Sequence, residues 1–215
     1  MARLVRRVVV AAALLTACQL PQEPSRPSPS PPSPSPGKLS AQASAPRKPN
    51  WNRRLLQAAE NSDYEAALVA LQHGASPNAR GFFNMSPLLW AVSKHNLPLA
   101  KLLLDYDADP NQPNKDDVTP IFLATNFPPP DVKDLSIANV LVERGADVNR
   151  RNHTRDTPLI WVGFYGHVPI AKFLLEHGAD VNAVDQFGQT ALNMAERQHH
   201  EDMLSFLTSQ GAIRR

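Results

Sequence analysis

The residues of this chain that could do chemistry are few, and their spacing limits what they could do. The run His199-His200-Glu201-Asp202 places metal-ligand side chains side by side. Adjacent residues diverge, so the run does not converge on one ion as the spaced ligands of a tetrahedral site do. Asp105, Asp107 and Asp109 alternate like the start of a calcium loop, but that loop needs glycine at its sixth position, and Pro110 stands there. Cys18 is the only cysteine. The body of the chain therefore has no thiol nucleophile, and it has no G-x-S-x-G, no glycine-rich phosphate loop and no H-E-x-x-H. A clustered nucleophile and base is missing, so the expectation is a protein that is not an enzyme and holds no metal or cofactor.

The elements that position these residues are clearest between Thr157 and Asn182. Thr157 is placed to cap a helix with its hydroxyl, and Pro158 follows at the first helical position, where a missing N–H costs nothing. This helix should run to about Tyr165 and break at Gly166. Pro169 starts a second one, whose Ile170, Phe173 and Leu174 make an apolar face. Gly178 supplies the left-handed residue that ends it, before Ala179-Asp180-Val181-Asn182. Two helices this short cannot bury their faces alone. The chain supplies the neighbours, because the helix-ending position recurs as Gly74, Asp107, Gly145, Gly178 and Gly211, at spacings of 33, 38, 33 and 33. The helix-starting pair recurs as Ser86-Pro87, Thr119-Pro120, Thr157-Pro158 and Thr190-Ala191. The apolar triplet recurs as Leu99/Leu102/Leu103, Ile137/Val140/Leu141, Ile170/Phe173/Leu174 and Met203/Phe206/Leu207. Aspartate tolerates the left-handed conformation, so Asp107 can stand in for glycine.

A period of 33 with Thr-Pro at a helix start and Gly-Ala-Asp-Val-Asn after a second helix resembles the ankyrin repeat. The resemblance covers about Trp51 to the C-terminus. It implies an all-α solenoid of about five helix-turn-helix repeats with short finger-like turns, at approximately 51–80, 81–113, 114–151, 152–184 and 185–215. The histidine usual two places after Thr-Pro is replaced by Leu89, Phe122, Ile160 and Asn193. Arg53-Arg54 in the first repeat, and Asn193, Arg197, Gln198 and His199 in the last, give the polar ends that a stack requires. The long spacing reflects five extra residues between Thr119 and Gly145, around Pro128-Pro129-Pro130, in a stiffened surface turn or partner-contacting knob. His73 and His177 sit at helix C-termini, where partial positive charge is favourable, and His167 and His200 share a position in the inter-helix turn.

In ankyrin-like stacks the fingers and first helices line a concave surface that holds protein partners. The resemblance assigns that role here to Arg80, Phe82, Phe83 and Met85 in one finger and to Lys115 and Asp116 in the next. Arg151, His153 and Asp156 follow in the third, with Phe164 and Tyr165 on the helix behind it. Aromatic residues and arginine are the commonest interface anchors. Trp90 and Trp161 occupy equivalent places in their repeats, which favours core packing.

The first residues carry Arg3, Arg6 and Arg7 before an apolar run from Val8 to Ala17, the layout of a secretory signal peptide and too short to span a membrane. Leu15-Thr16-Ala17-Cys18 resembles the bacterial lipobox, which implies removal of residues 1–17 and lipidation (palmitate among the acyl chains) of Cys18. Gln19, rather than aspartate, after the cysteine points by the same resemblance to the periplasmic face of the outer membrane. Residues 18–50 then form a tether: ten of the 21 prolines lie between Pro21 and Pro49. A polyproline spacer of about thirty residues at ~3.1 Å each reaches ~90 Å, though the same segment could itself be a ligand for a proline-binding domain. Without residues 1–17 the formal charge falls from +2 to −1, and the folded part, 51–215, carries −4. The pI of 8.8 thus describes the precursor, and nucleic-acid binding is not expected. Absence of cysteine from the body suits an oxidising compartment. The expectation is a monomeric, lipid-anchored periplasmic domain that binds another protein, as an immunity-type neutraliser of a toxin or regulator of an enzyme. A scaffold for a resident periplasmic enzyme is the alternative, and a hydrolase on a repeat scaffold is the rival from another class.

Overall fold

The computed structural model describes residues 49–126 and 135–214. The expected signal segment, Cys18, the expected tether up to residue 48 and the Pro128–Pro130 turn lie outside them, while Asn50, expected at the tether's end, caps the first helix.

Among the described residues, five helix starts carry a side chain that satisfies a free amide. The helices α1 (Trp51–Glu60) and α2 (Tyr64–Gln72) are capped by Asn50 and Asp63, whose side chains accept from the amides of Arg53 and Ala66 at 3.0 and 2.9 Å. Ser86 and Asn96 do the same for α3 (Pro87–Ser93) and α4 (Leu97–Asp105). The next pairs are α5 (Pro120–Asn126) with α6 (Ser136–Glu143), and α7 (Pro158–Tyr165) with α8 (Val168–Glu176). The last is α9 (Ala191–Arg197) with α10 (Glu201–Ser209), where Thr190 and Asn193 form a reciprocal capping box. Thr157 corrects the expectation drawn from its type. It holds the N-cap position of α7, yet its hydroxyl is buried without a hydrogen-bond partner. The amide it would cap, that of Ile160, bonds instead to the Thr157 carbonyl at 3.1 Å, so the tightened first turn leaves the hydroxyl nothing to accept. The helix-ending residues are left-handed as their spacing implied, including Asp107 at φ +63°.

Ten helices, and no strand among the described residues, make five helix pairs. The first helices stack in order, α1 on α3, α3 on α5, α5 on α7 and α7 on α9. Of the second helices, α2 packs on α4, α4 on α6 and α8 on α10. The core runs between these layers as Leu55, Leu88, Leu99, Leu103, Ile121, Leu141, Leu159, Leu174, Met203 and Leu207, all essentially inaccessible to solvent. Burying a leucine fully is worth about 1.5–3 kcal/mol, so each repeat is held mainly by its neighbours. At the N-terminal end of the stack, where no repeat among the described residues covers α1, Trp51 stacks on His73 at 4.2 Å and Arg54 lies over the indole at 4.7 Å.

The asparagine that closes the turn after each second helix, Ser-x-Asn in the first repeat and Asp-x-Asn in the next three, ties one repeat to the next. The Asn78 side chain donates to the Asp107 carbonyl at 3.1 Å and accepts the Asp109 amide at 2.7 Å. Asn111 bridges to Gly145 and Asp147 in the same way, Asn149 to Gly178 and Asp180, and Asn182 to Gly211 and Ile213. The preceding aspartate accepts its own asparagine's amide, as Asp109 does for Asn111 at 2.8 Å. Each rung satisfies a carbonyl and an amide that the left-handed helix end leaves over.

Candidate functional site: the finger row and the helices behind it

Four finger turns close with an amide-to-carbonyl hydrogen bond: Gly81 to Met85, Asn114 to Val118, Asn152 to Asp156 and Asp185 to Gln189, at 2.9–3.0 Å. Adjacent fingers are then joined through their backbones. Lys115 N–H donates to the Phe83 carbonyl, His153 N–H to Asp116 and Gln186 N–H to Thr154, at 3.0, 3.2 and 3.2 Å. The row is therefore a continuous ladder.

The third finger is built over a buried carboxylate. Asp156 is 3% exposed, and its Oδ2 accepts from the Trp161 indole N–H at 3.0 Å, from the Asn152 amide at 3.3 Å and from the Thr154 hydroxyl. Asn152 Oδ1 accepts the Thr154 and Asp156 amides at 3.0 and 2.9 Å. Arg151 donates to the carbonyls of Arg155 and Val184, which locks the finger's base to the following repeat. Asp185 repeats the pattern in the fourth finger, accepting from Phe187 and Gln189 at 2.7 and 2.9 Å.

The first finger departs from that design. Gly81 stands where the others have Asn114, Asn152 and Asp185, and a Cβ there would lie 3.3 Å from both Leu56 Cδ2 and the Met85 carbonyl. A side chain of the kind that shapes the other fingers would crowd Leu56 of α1 there. Phe83 and Asn84 both take left-handed backbone, at φ +54° and +57°. Phe83 is 39% exposed, with the Lys115 ammonium 3.8 Å from its ring centroid and its carbonyl taken by Lys115 N–H. Phe82 packs edge-on against Phe83 at 4.2 Å and is 79% exposed.

Behind the fingers, Phe122 on α5 meets Trp161 on α7 at 6.1 Å, and Trp161 continues into Phe164 and Tyr165 at 6.5 and 6.0 Å. Phe164 and Tyr165 are half-buried and meet edge-on at 5.2 Å. Burial raises the Tyr165 phenol pKa above its ordinary 10.0. The His200 ring holds the end of α7, its Nε2 3.0 Å from the Phe164 carbonyl. It lies where a side chain at Gly166, at φ +74°, would have to stand.

The residues expected on a partner surface therefore separate. Arg80, Phe82, Phe83, Lys115 and His153 are exposed, while Met85, Asp116, Arg151, Phe164 and Tyr165 are half-buried. Asp156 is corrected: its carboxylate is enclosed and shapes the finger from within, so it offers no surface to a partner. Trp161 is half-buried like Trp90, but its N–H on Asp156 gives it a polar duty that Trp90 shows no sign of. Phe187, 64% exposed, occupies in the fourth finger the place of Phe83 in the first. Counting back from the finger bases would have found it. Arg155 was also missed, and it adopts left-handed backbone at φ +61°.

The residues of metal-ligand type are dispersed. Asp105 pairs with Arg144 at 2.5 Å, Asp107 ends a helix, and Asp109 accepts the Asn111 amide. His199 takes a left-handed turn, His200 packs on Gly166, and Glu201 and Asp202 are exposed in the first turn of α10. Among the described residues no group of three or more His, Cys, Asp or Glu is arranged to hold a metal. No described helix is long and apolar enough to cross a membrane.

Stacked helix pairs joined by a finger ladder define a repeat solenoid of the binding-scaffold class. The chain belongs to the ankyrin repeat family: the family's model for ankyrin repeats (3 copies) matches residues 55–152 and 131–213. It is similar to an ankyrin repeat protein of Fowlpox virus (strain NVSL), with 29% identity over 116 residues, covering 41% of this chain and 16% of that protein. The chain thus spans only a small part of that relative's length. The repeats make this domain a protein–protein interaction module.

Proposed function

We propose that the chain is a lipid-anchored periplasmic interaction module that binds, and neutralises or regulates, a partner enzyme in the manner of an immunity lipoprotein. The observation that carries the binding role is Phe82, a large apolar side chain held 79% exposed on a finger pinned to its neighbour. An exposed aromatic on a rigid support offers contact area at low entropic cost. The charged signal-like start and the Leu15–Cys18 motif support the anchored, envelope location.

Two measurements test this reading. Labelled palmitate should enter the wild type, and Cys18→Ser should remove both label and membrane fractionation; identical fractionation of an unlabelled wild type overturns the anchor. A crosslinked partner recovered from the cell envelope should be lost with Phe82→Ala at an unchanged melting temperature. Retention of that partner moves the binding surface away from the first finger.

A further inference from the structure

We infer that the third finger recognises an acidic segment of the partner protein, with Arg155 as its specificity-determining residue. This rests on the reading of the finger row as the partner surface and adds the chemistry of what it takes. The tip position of each finger is left-handed: Asn84 at φ +57°, Asp117 at +57°, Arg155 at +61° and Gly188 at +74°. Asparagine, aspartate and glycine adopt that backbone readily, whereas a long L side chain does so at a cost. Arginine at the third tip is thus the one residue the turn itself does not favour. The fold obtains no ion pair in return. The ion pairs among the described residues join Arg144 to Asp105, Lys172 to Glu176 and Arg214 to Glu196, and the Arg155 side chain is exposed.

Charge around the tip points the same way. Arg150, His153 and Arg155 are exposed within six residues, and Lys115 is exposed on the finger that His153 hydrogen-bonds. Opposing them are exposed Asp117 and half-buried Asp116 on the second finger, while Asp156 and Asp185 are enclosed by their own turns. Arg150, Arg155 and Lys115 are thus the cations of this cluster, on a folded part whose formal charge, with histidine counted neutral, is −4. Local charge opposite to that of the whole steers a complementary partner and fixes its register. The first finger, one place beyond the second in the ladder, supplies Phe82 as an apolar contact, so the matching ligand is a carboxylate-rich segment with one large apolar residue.

The test uses the full chain and fluorescence anisotropy with a short labelled peptide of Asp, Glu and Ser around one Phe. Its charge-reversed Lys/Arg counterpart and phosphatidylglycerol vesicles serve as the other arms. The acidic peptide should bind, weaken with salt, and lose about five- to tenfold in affinity with Arg155→Asn. Asparagine fits the left-handed turn, so the melting temperature should hold or rise. Equal binding of the two peptides, full affinity in Arg155→Asn, or binding to the vesicles alone overturns the inference. Phe82→Ala in the same assay separates the two readings. Loss there with none in Arg155→Asn leaves the partner surface standing and removes the acidic specificity; the converse removes the aromatic anchor alone.

Discussion

The first and third fingers occupy the same place in their repeats and solve it in opposite ways. The third is specified from below. Asn152 takes up the Thr154 and Asp156 amides, Trp161 ties the Asp156 carboxylate to the helix behind, and the side chains that shape it point inward. The first has glycine at its base, so no side chain there takes up its amides. Its form depends on left-handed Phe83 and Asn84 and on Lys115 of the next finger, and its apolar side chains face outward. A repeat position thus fixes where a turn sits in the stack, while the neighbouring side chains decide whether it is an internal brace or an external handle. Polar residues turned inside stabilise the row, and aromatic residues turned outside are left over for binding.

The comparison can be broken at its common foundation first. Leu174→Ala should destabilise the domain by about 2–5 kcal/mol by opening a cavity between repeats. Both fingers should then lose amide protection together in hydrogen exchange. Protection lost from only one would mean that the fingers do not share a stack.

Removing the internal brace comes next. Asp156→Ala should cost about 1–3 kcal/mol, because the Trp161 indole N–H and the Asn152 amide lose their buried acceptor. Denaturant unfolding followed by tryptophan emission measures this. The equivalent change in the first finger, Met85→Ala, deprives no polar group and should cost less. Equal costs would remove the distinction between the fingers.

Relief of backbone strain sharpens it further. Arg155→Asn should raise stability by about 0.5–1 kcal/mol, read as a higher melting temperature. A fall would show that the arginine supports the third finger after all.

The external handle should matter least to folding. Phe82→Ala should change stability by under about 0.5 kcal/mol while reducing partner affinity by at least ~2 kcal/mol. Thermal unfolding and a binding titration read the two separately.

Tyr165, behind the braced finger, offers a check by pH. Burial raises its folded pKa above 10.0, so the folded state holds the phenolic proton more tightly than the unfolded chain. Its contribution is fully present below pH 10.0 and is lost as pH climbs through the folded value. Tyr165→Phe should make stability less steep in that alkaline range, read by denaturant unfolding at a series of pH values.

The sequence by itself determined the period, the helix pairs and most of their ends. Those signals act within one or two turns: Pro158 and Pro120 suit a first helical turn, Gly178 and Asp107 suit a left-handed end, and Ile170, Phe173 and Leu174 fall on one face at any 3.6-residue pitch. The family resemblance also pointed to the fingers as the partner surface, with Phe82 among its residues. Only the tertiary structure decided which finger residues turn in and which turn out. Arg151 turns to the Val184 carbonyl of the following repeat, and Phe83 lies under the Lys115 ammonium of the next finger. The rungs of Asn78, Asn111, Asn149 and Asn182 likewise close on the repeat that follows. Local propensity is set by the residue and its nearest neighbours, whereas burial and hydrogen-bond partners are set by whichever repeat lies alongside once the stack has formed.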